Sequence, residues 1–234
     1  MLENKKQFIQ KLNKLASNLN ITYKNVDYYF EAFSHPSFGN ENKSGLNYER
    51  LEFLGDAILD FLVGEYLYKN YKDLQEGAMS KLRAEYVCEQ ANSKYTQEMH
   101  LDELIMLGVG AQSQGEGKRV SVLGNVFESF LGALYLDHGI DYVRDLLAIW
   151  VFPKIKDQKN LFFIDYKTKL QECMQAERGA SPVYEIVRES GPAHDKTFEA
   201  IVKIDNLKLG VGIGKSKKDA EQEAAKNAID KLAK

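Results

Sequence analysis

Cysteine is scarce in this chain of 234 residues: Cys88 and Cys173 are its only two, far apart and in no CxxC pattern. That excludes a disulfide-built scaffold and a thiolate zinc site, and fits two reduced thiols in a cytosolic protein. The four histidines are scattered; His35, His100 and His138 have no partners in register, so zinc chemistry finds no imidazole cluster either. No GxxxxGK[ST] loop is present to cradle the phosphates of a nucleotide. No apolar run approaches the roughly 18 residues of a membrane span, and the opening MLENKKQFIQKLNKLA is polar and amphipathic, unlike a secretory leader. A soluble, cytoplasmic protein with no membrane partner and no organic cofactor is expected. An excess of positive charge is also missing: the net charge of −3 argues weakly against a polyanionic partner.

Aromatic residues are plentiful, with 13 Tyr and 12 Phe, enough for a substantial core. The charge is unevenly spread. Beyond residue 160 there are 13 Lys and Arg against 12 Asp and Glu, whereas the preceding part holds 18 against 22. Residues 1–155 read as a mainly α domain. NKKQFIQKLNKLASNL, DYYFEAFSH, NYERLEFLGDAILDFLVGEYLY, EGAMSKLRAEYVCEQANSKYTQEM and VLGNVFESFLGALYLDHG all place apolar residues at three- and four-residue spacing. Turn-forming SHPSFGNENKSG and GVGAQSQGEGKRVS separate them. The polar FPKIKDQKN reads as a linker, which sets the linker between the two domains at residues 156–162. Residues 163–234 then change period. A helix, DYKTKLQECMQAE, precedes three alternating segments, PVYEIVRES, DKTFEAIVKID and LKLGVGIGKS, and an Ala-rich helix closes the chain. This is an α-β-β-β-α order, a small α+β unit with a three-stranded antiparallel meander.

The first chemical signal is acidic. On an α-helix, Glu49, Glu52 and Asp56 share an arc of roughly 60°, while Leu51, Leu54, Ile58, Phe61 and Leu62 lie towards the other side. Asp60 continues the same arc one turn on. A second apolar helix carries Asn125 and Glu128 at i and i+3, again on one face. Either stripe alone could be a solvated polar face. Two together are what a hard cation such as Mg²⁺ requires, since it takes oxygen ligands and retains several waters.

NYERLEFLGDAILDFL also resembles the signature of the ribonuclease III family, matching ERLEFLGD without a gap. The resemblance continues through SHPSF, EGAMSKLRA and FESFLGALYLD and spans the chain, the C-terminal unit being similar to the family's double-stranded-RNA-binding domain. It implies a homodimeric, Mg²⁺-dependent endonuclease, with Mn²⁺ a plausible substitute, that cuts both strands of an RNA duplex. The products would carry 5′-phosphates, 3′-hydroxyls and two-nucleotide 3′ overhangs, and precursors of ribosomal RNA and other structured transcripts would be substrates. Glu52, Asp56 and Glu128 match metal-binding catalytic carboxylates; Glu49 and Glu76 match acidic residues lining the catalytic valley. Asn125 departs from the family, which usually places an aspartate there. Its carboxamide oxygen can still meet a metal but carries no charge, so weaker Mg²⁺ binding is expected. The alternative is a duplex-RNA-binding protein whose nuclease site is idle because of Asn125; the retained carboxylates argue against it.

Basic residues cluster where the last helix begins, at Lys215, Lys217 and Lys218. A helix N-terminus flanked by lysines makes a phosphate clamp. By resemblance, Thr168, Gln171, Glu172 and Gln175, at i, i+3, i+4 and i+7 of the preceding helix, would face one minor groove of the duplex, and His194 in GPAHDK the next. None of these contacts selects a base strongly, so recognition of A-form shape is expected, with strong salt dependence.

Overall fold

The computed structural model describes residues 2–157, 166–178, 181–192, 196–205 and 207–232. The chain forms two compact units, Met1–Phe163 and Ile164–Lys234.

The first unit is helical. In chain order it comprises α1 (Leu2–Leu19), α2 (Val26–Ala32), α3 (Pro36–Glu41), α4 (Glu49–Asn70), α5 (Glu76–Val87), α6 (Glu89–Glu98), α7 (Val109–Ser113), α8 (Val120–His138), α9 (Ile140–Trp150) and α10 (Phe152–Asp157), with 3₁₀ turns at Leu101–Leu104 and Glu116–Lys118. Helix α8 runs through the middle of the core: Val126, Phe127, Phe130, Leu131, Ala133 and Leu134 are all fully buried. It stops at Gly139, whose φ of 88° is a conformation glycine adopts without strain. Its last turn also anchors α2, because the Asp137 carboxylate accepts hydrogen bonds from the Lys24 and Asn25 amides and the Tyr29 hydroxyl. Mid-helix, the Ser129 hydroxyl donates to the Ala32 carbonyl at 2.7 Å.

Helices α4 and α8 cross at glycine, and that crossing decides where the chemistry sits. A Cβ on Gly55 would fall 1.7 Å from the Glu128 carbonyl oxygen, and one on Gly132 would fall 2.4 Å from that of Leu51. Only hydrogen at both positions lets the two backbones approach so closely. Glu52 and Asp56 flank Gly55 in sequence and Glu128 meets it across the seam, so side chains about 70 residues apart are brought together by the packing itself.

Three expectations need correction in this unit. The stretch from Glu76 to Glu98 is two helices, because Cys88 is extended (ψ 159°) between α5 and α6. The polar FPKIKDQKN begins as helix α10, with Phe152 and Ile155 buried, since its two apolar residues find the core; residues 158–160 lie outside the described residues. Phe61, expected on the apolar face of α4, is 57% exposed, while Leu51, Ile58 and Leu62 are buried as expected.

The second unit has α11 (Tyr166–Arg178), β1 (Val183–Ser190), β2 (Thr197–Ile204), β3 (Leu207–Gly214) and α12 (Lys217–Leu232). The strands form an antiparallel sheet in the order β1-β2-β3, with β1 bulged between Ile186 and Arg188. Leu170 and Met174 of α11 and Ala220, Ala224 and Ala228 of α12 pack with Ala200, Val202 and Ile204 into a separate core. Glycine again sets the spacing. Cβ atoms on Gly210 and Gly212 would lie 2.1 and 2.2 Å from the α12 backbone at Ala224. Small residues on both sides let helix and sheet meet closely.

Candidate active site

Helix α4 begins at Glu49, whose amide donates to the Asn47 Oδ1 at 3.0 Å while Asn47 Nδ2 donates back to the Glu49 carboxylate. Glu49 and Glu52 therefore occupy the first turn, where the positive end of the helix dipole favours negative charge. Asp56 follows one turn later. Together with Tyr48, Phe53, Asn125 and Glu128 these residues line one pocket of about 430 Å³. The two acidic stripes line one pocket, and among the described residues no Lys, Arg or His lines it with them.

The electrostatics record that lack of compensation. Burial pushes the Glu128 carboxyl up to about 8, helped by the charges of Asp56 and Glu52 and opposed by a hydrogen bond from Asn92. Burial likewise raises the Glu52 carboxyl, with Glu49 and Asp56 adding to the effect, and raises that of Asp56, with Asp60 adding. The carboxylates share the pocket without closing on one point: among the described residues, no three His, Cys, Asp or Glu side chains are close enough to hold an ion between them. A hard cation that keeps several waters can be held partly through them, so direct contact with every carboxylate is unnecessary. The oxygen donors of the pocket and the negative charge of its carboxylates fit Mg²⁺ or Mn²⁺, with Glu52, Asp56, Glu128 and the carboxamide of Asn125 as the available donors. Asn125 lies beside Tyr48, which lines the same pocket.

Other anticipated residues fall elsewhere. Glu76 opens α5, exposed and bonded by the Ser80 hydroxyl, and does not line the pocket. Asp60 pairs loosely with Arg83 at 3.9 Å. In the second unit, Gln171 and Gln175 are exposed on α11 and Thr168 is half-buried on the same helix. The side chain of Glu172 and all of His194 lie outside the described residues. Lys215, Lys217 and Lys218 are exposed around the start of α12. Ser216 caps that helix, its Oγ accepting from the Asp219 amide at 3.1 Å and donating to the Asp219 carboxylate at 2.7 Å. Sequence reasoning missed Asn92, which donates to Glu128, and Gly55, which permits the crossing. An isolated glycine inside a helical pattern was the available signal for the second.

Residues 27–155 match the family model described as ribonuclease-III-like, and residues 166–232 match the double-stranded RNA binding motif. The chain is 44% identical to Ribonuclease 3 of Halalkalibacterium halodurans, over 96% of this chain and 86% of that protein. It is 44% identical to Ribonuclease 3 of Oceanobacillus iheyensis, over 94% of this chain and 98% of the relative. The chain belongs to the ribonuclease III family. It is an endoribonuclease built from a helical nuclease unit and a double-stranded-RNA-binding unit. The solved nuclease domain of ribonuclease III from Campylobacter jejuni, described with a region involved in dimer formation, matches at a TM-score of 0.56 and 34% identity, over 60% of this chain and 97% of that one. No described helix in this ribonuclease III family member is long and apolar enough to cross a membrane.

Proposed function

We propose that the protein is a Mg²⁺-dependent, double-strand-specific endoribonuclease that hydrolyses both strands of an RNA duplex, leaving 5′-phosphates, 3′-hydroxyls and two-nucleotide 3′ overhangs. The supporting observation is the pocket lined by Glu49, Glu52, Asp56, Asn125 and Glu128, where several carboxylates gather with no cationic side chain among the described lining residues. Glu52, Asp56, Asn125 and Glu128 would hold the metal, Asn125 supplying an oxygen without charge. A bound Mg²⁺ or Mn²⁺ supplies Lewis-acid polarisation of the scissile phosphate and a more acidic water at neutral pH. With no histidine among the described lining residues, the carboxylates are the groups able to take the proton of the attacking water.

The second unit supplies binding. Exposed lysines at the start of α12 meet phosphates, and the polar face of α11 meets the 2′-hydroxyls of a minor groove, so A-form shape selects the substrate. A homodimer would place two cutting centres on opposite strands about a two-fold axis. Phe53 supports self-association: it is 81% exposed beside a groove of about 680 Å³ lined by Tyr28, Arg50, Leu51, Leu54 and Leu136. Precursors of ribosomal RNA and other structured transcripts in the cytoplasm are the substrates this chemistry suits.

The test is end-mapping of the products from one defined hairpin, in parent protein and Glu128→Gln, across a Mg²⁺ titration. We expect staggered cuts by the parent, and a loss of more than about a hundredfold in kcat for Glu128→Gln with duplex binding retained. Asn125→Asp should lower the Mg²⁺ concentration at half-maximal rate. Binding without scission by the parent would instead establish the idle site.

A further inference from the structure

Among the described residues of the nuclease unit, five polar residues are buried: Ser34, Asn92, Ser93, Thr96 and Ser129. Three of them serve the backbone, the hydroxyls of Ser34, Thr96 and Ser129 donating to the carbonyls of Phe30, Leu123 and Ala32. Asn92 is different. It sits fully buried on α6, and its Nδ2 donates to the Val87 carbonyl at 3.1 Å and to the Glu128 Oε1 at 2.8 Å. Both amide hydrogens are thus used, and two acceptors on that side fix which end of the carboxamide faces them. The opposite end, Oδ1, is buried with no partner. Burying an amide with an unmet acceptor is unfavourable, and an apolar side chain would fill this place in the core more comfortably. The residue therefore does something other than pack.

We propose that Asn92 is a positioning residue for the nuclease centre. Anchored on the end of α5 through Val87, it holds one carboxylate oxygen of Glu128 and so leaves the other for the pocket that Glu52, Asp56 and Asn125 line. A carboxylate held in this way meets a cation without first losing rotamer freedom, which is how hydrogen-bond partners behind a metal ligand strengthen its grip. In this chain the support comes where one ligand position carries no charge, so a pre-oriented Glu128 offsets part of what Asn125 lacks. This inference rests on the reading of Glu128 as a metal ligand.

The experiment compares Asn92→Leu and Asn92→Met, which fill the same core position without a donor, with Glu128→Gln. Mn²⁺ binding to the RNA-free protein is followed by electron paramagnetic resonance, beside kcat, KM for a duplex and melting temperature. We expect both Asn92 variants to bind Mn²⁺ about tenfold more weakly and to lose kcat similarly, with KM for the duplex unchanged. A merely structural asparagine would lower the melting temperature and leave Mn²⁺ affinity alone. If Glu128→Gln weakens Mn²⁺ binding while the Asn92 variants stay within twofold of the parent, the positioning role is wrong. If Glu128→Gln itself leaves Mn²⁺ affinity unchanged, the metal-ligand reading fails first. On the unaltered protein, the Asn92 side-chain amide resonance should shift as Mg²⁺ is added; no shift overturns the proposal even where the variants do not fold.

Discussion

The two units use the same packing device for opposite purposes. In the nuclease unit, Gly55 and Gly132 let helices α4 and α8 touch backbone to backbone, and the close crossing gathers Glu52, Asp56 and Glu128 into a half-buried pocket. In the RNA-binding unit, Gly210 and Gly212 let the sheet meet α12 just as closely, but Ala220, Ala224 and Ala228 supply the buried side chains there and the lysines at the start of the helix are exposed. A cutting centre needs charge held partly away from solvent, where like groups repel until a cation arrives. A surface that grips phosphates needs charge that is hydrated, mobile and free of strain. Burial is thus put where chemistry happens, and kept away from where a polyanion is only held.

The sharpest way to break this comparison is to add one methyl group to each seam. Gly55→Ala would force a Cβ within 1.7 Å of a backbone oxygen, and Gly212→Ala one within 2.2 Å of a backbone nitrogen. Neither obstacle is the flexible end of a side chain, so each substitution should destabilise its own unit by about 3 kcal/mol or more. Because the units have separate cores, calorimetry should show Gly55→Ala lowering the transition of the nuclease unit and Gly212→Ala that of the RNA-binding unit. Loss of both transitions together in either variant would contradict the independence of the two cores.

A smaller effect concerns the repulsion itself. The folded-state carboxyls of Glu128, Glu52 and Asp56 lie above their ordinary values, so the folded protein holds protons that the unfolded chain has already released. The stability they contribute is complete below the ordinary value and is lost as pH rises through the folded one, a window from 4.5 to about 8 for Glu128. Allowing for water's access to the pocket, roughly 2 kcal/mol should disappear across that window in a metal-free sample. Thermal melts in chelator at pH 5 and pH 8.5 read this directly. Mg²⁺ should restore more stability at the higher pH, and Glu128→Gln should flatten the dependence. A melting temperature that rises with pH in chelator would mean that the carboxylates are compensated by something other than a metal.

Much of the site was legible because helical register is arithmetic. Glu49, Glu52 and Asp56 fall on one face of any α-helix, as do Asn125 and Glu128, whatever surrounds them. The partnership between the two stripes was not legible, since it depends on the crossing at Gly55, and a glycine in a helix gives no sign of what approaches it. Asn92 was hidden for a similar reason. One polar residue among Ala91, Tyr95 and Met99 looks like surface until burial is known. Cys88 ends α5 without glycine or proline, so the break could not be anticipated from turn chemistry. Phe61 was read with the apolar face of α4, yet it is exposed, because only part of that helix's circumference faces its own core. In the second unit the alternating strands and their order were readable directly, as period-two burial depends on local pattern alone.

The mildest perturbation tests the exposed half of the comparison. Lys217 and Lys218 project from the first turn of α12, both exposed, with Lys217 Nζ 6.0 Å from the Phe198 ring. Replacing both with glutamine leaves the capping pair of Ser216 and Asp219 in place, so this unit should stay folded at the assay temperature. Each lysine that neutralises a phosphate releases a counterion on binding. The slope of log affinity against log salt should therefore fall by about one per lysine removed. Duplex affinity at moderate salt should drop severalfold, KM should rise with it, and kcat should hold, because no pocket residue is touched. A slope unchanged by the double substitution would place these lysines off the phosphate backbone, and duplex binding would then have to come from α11 and the rest of the unit's surface.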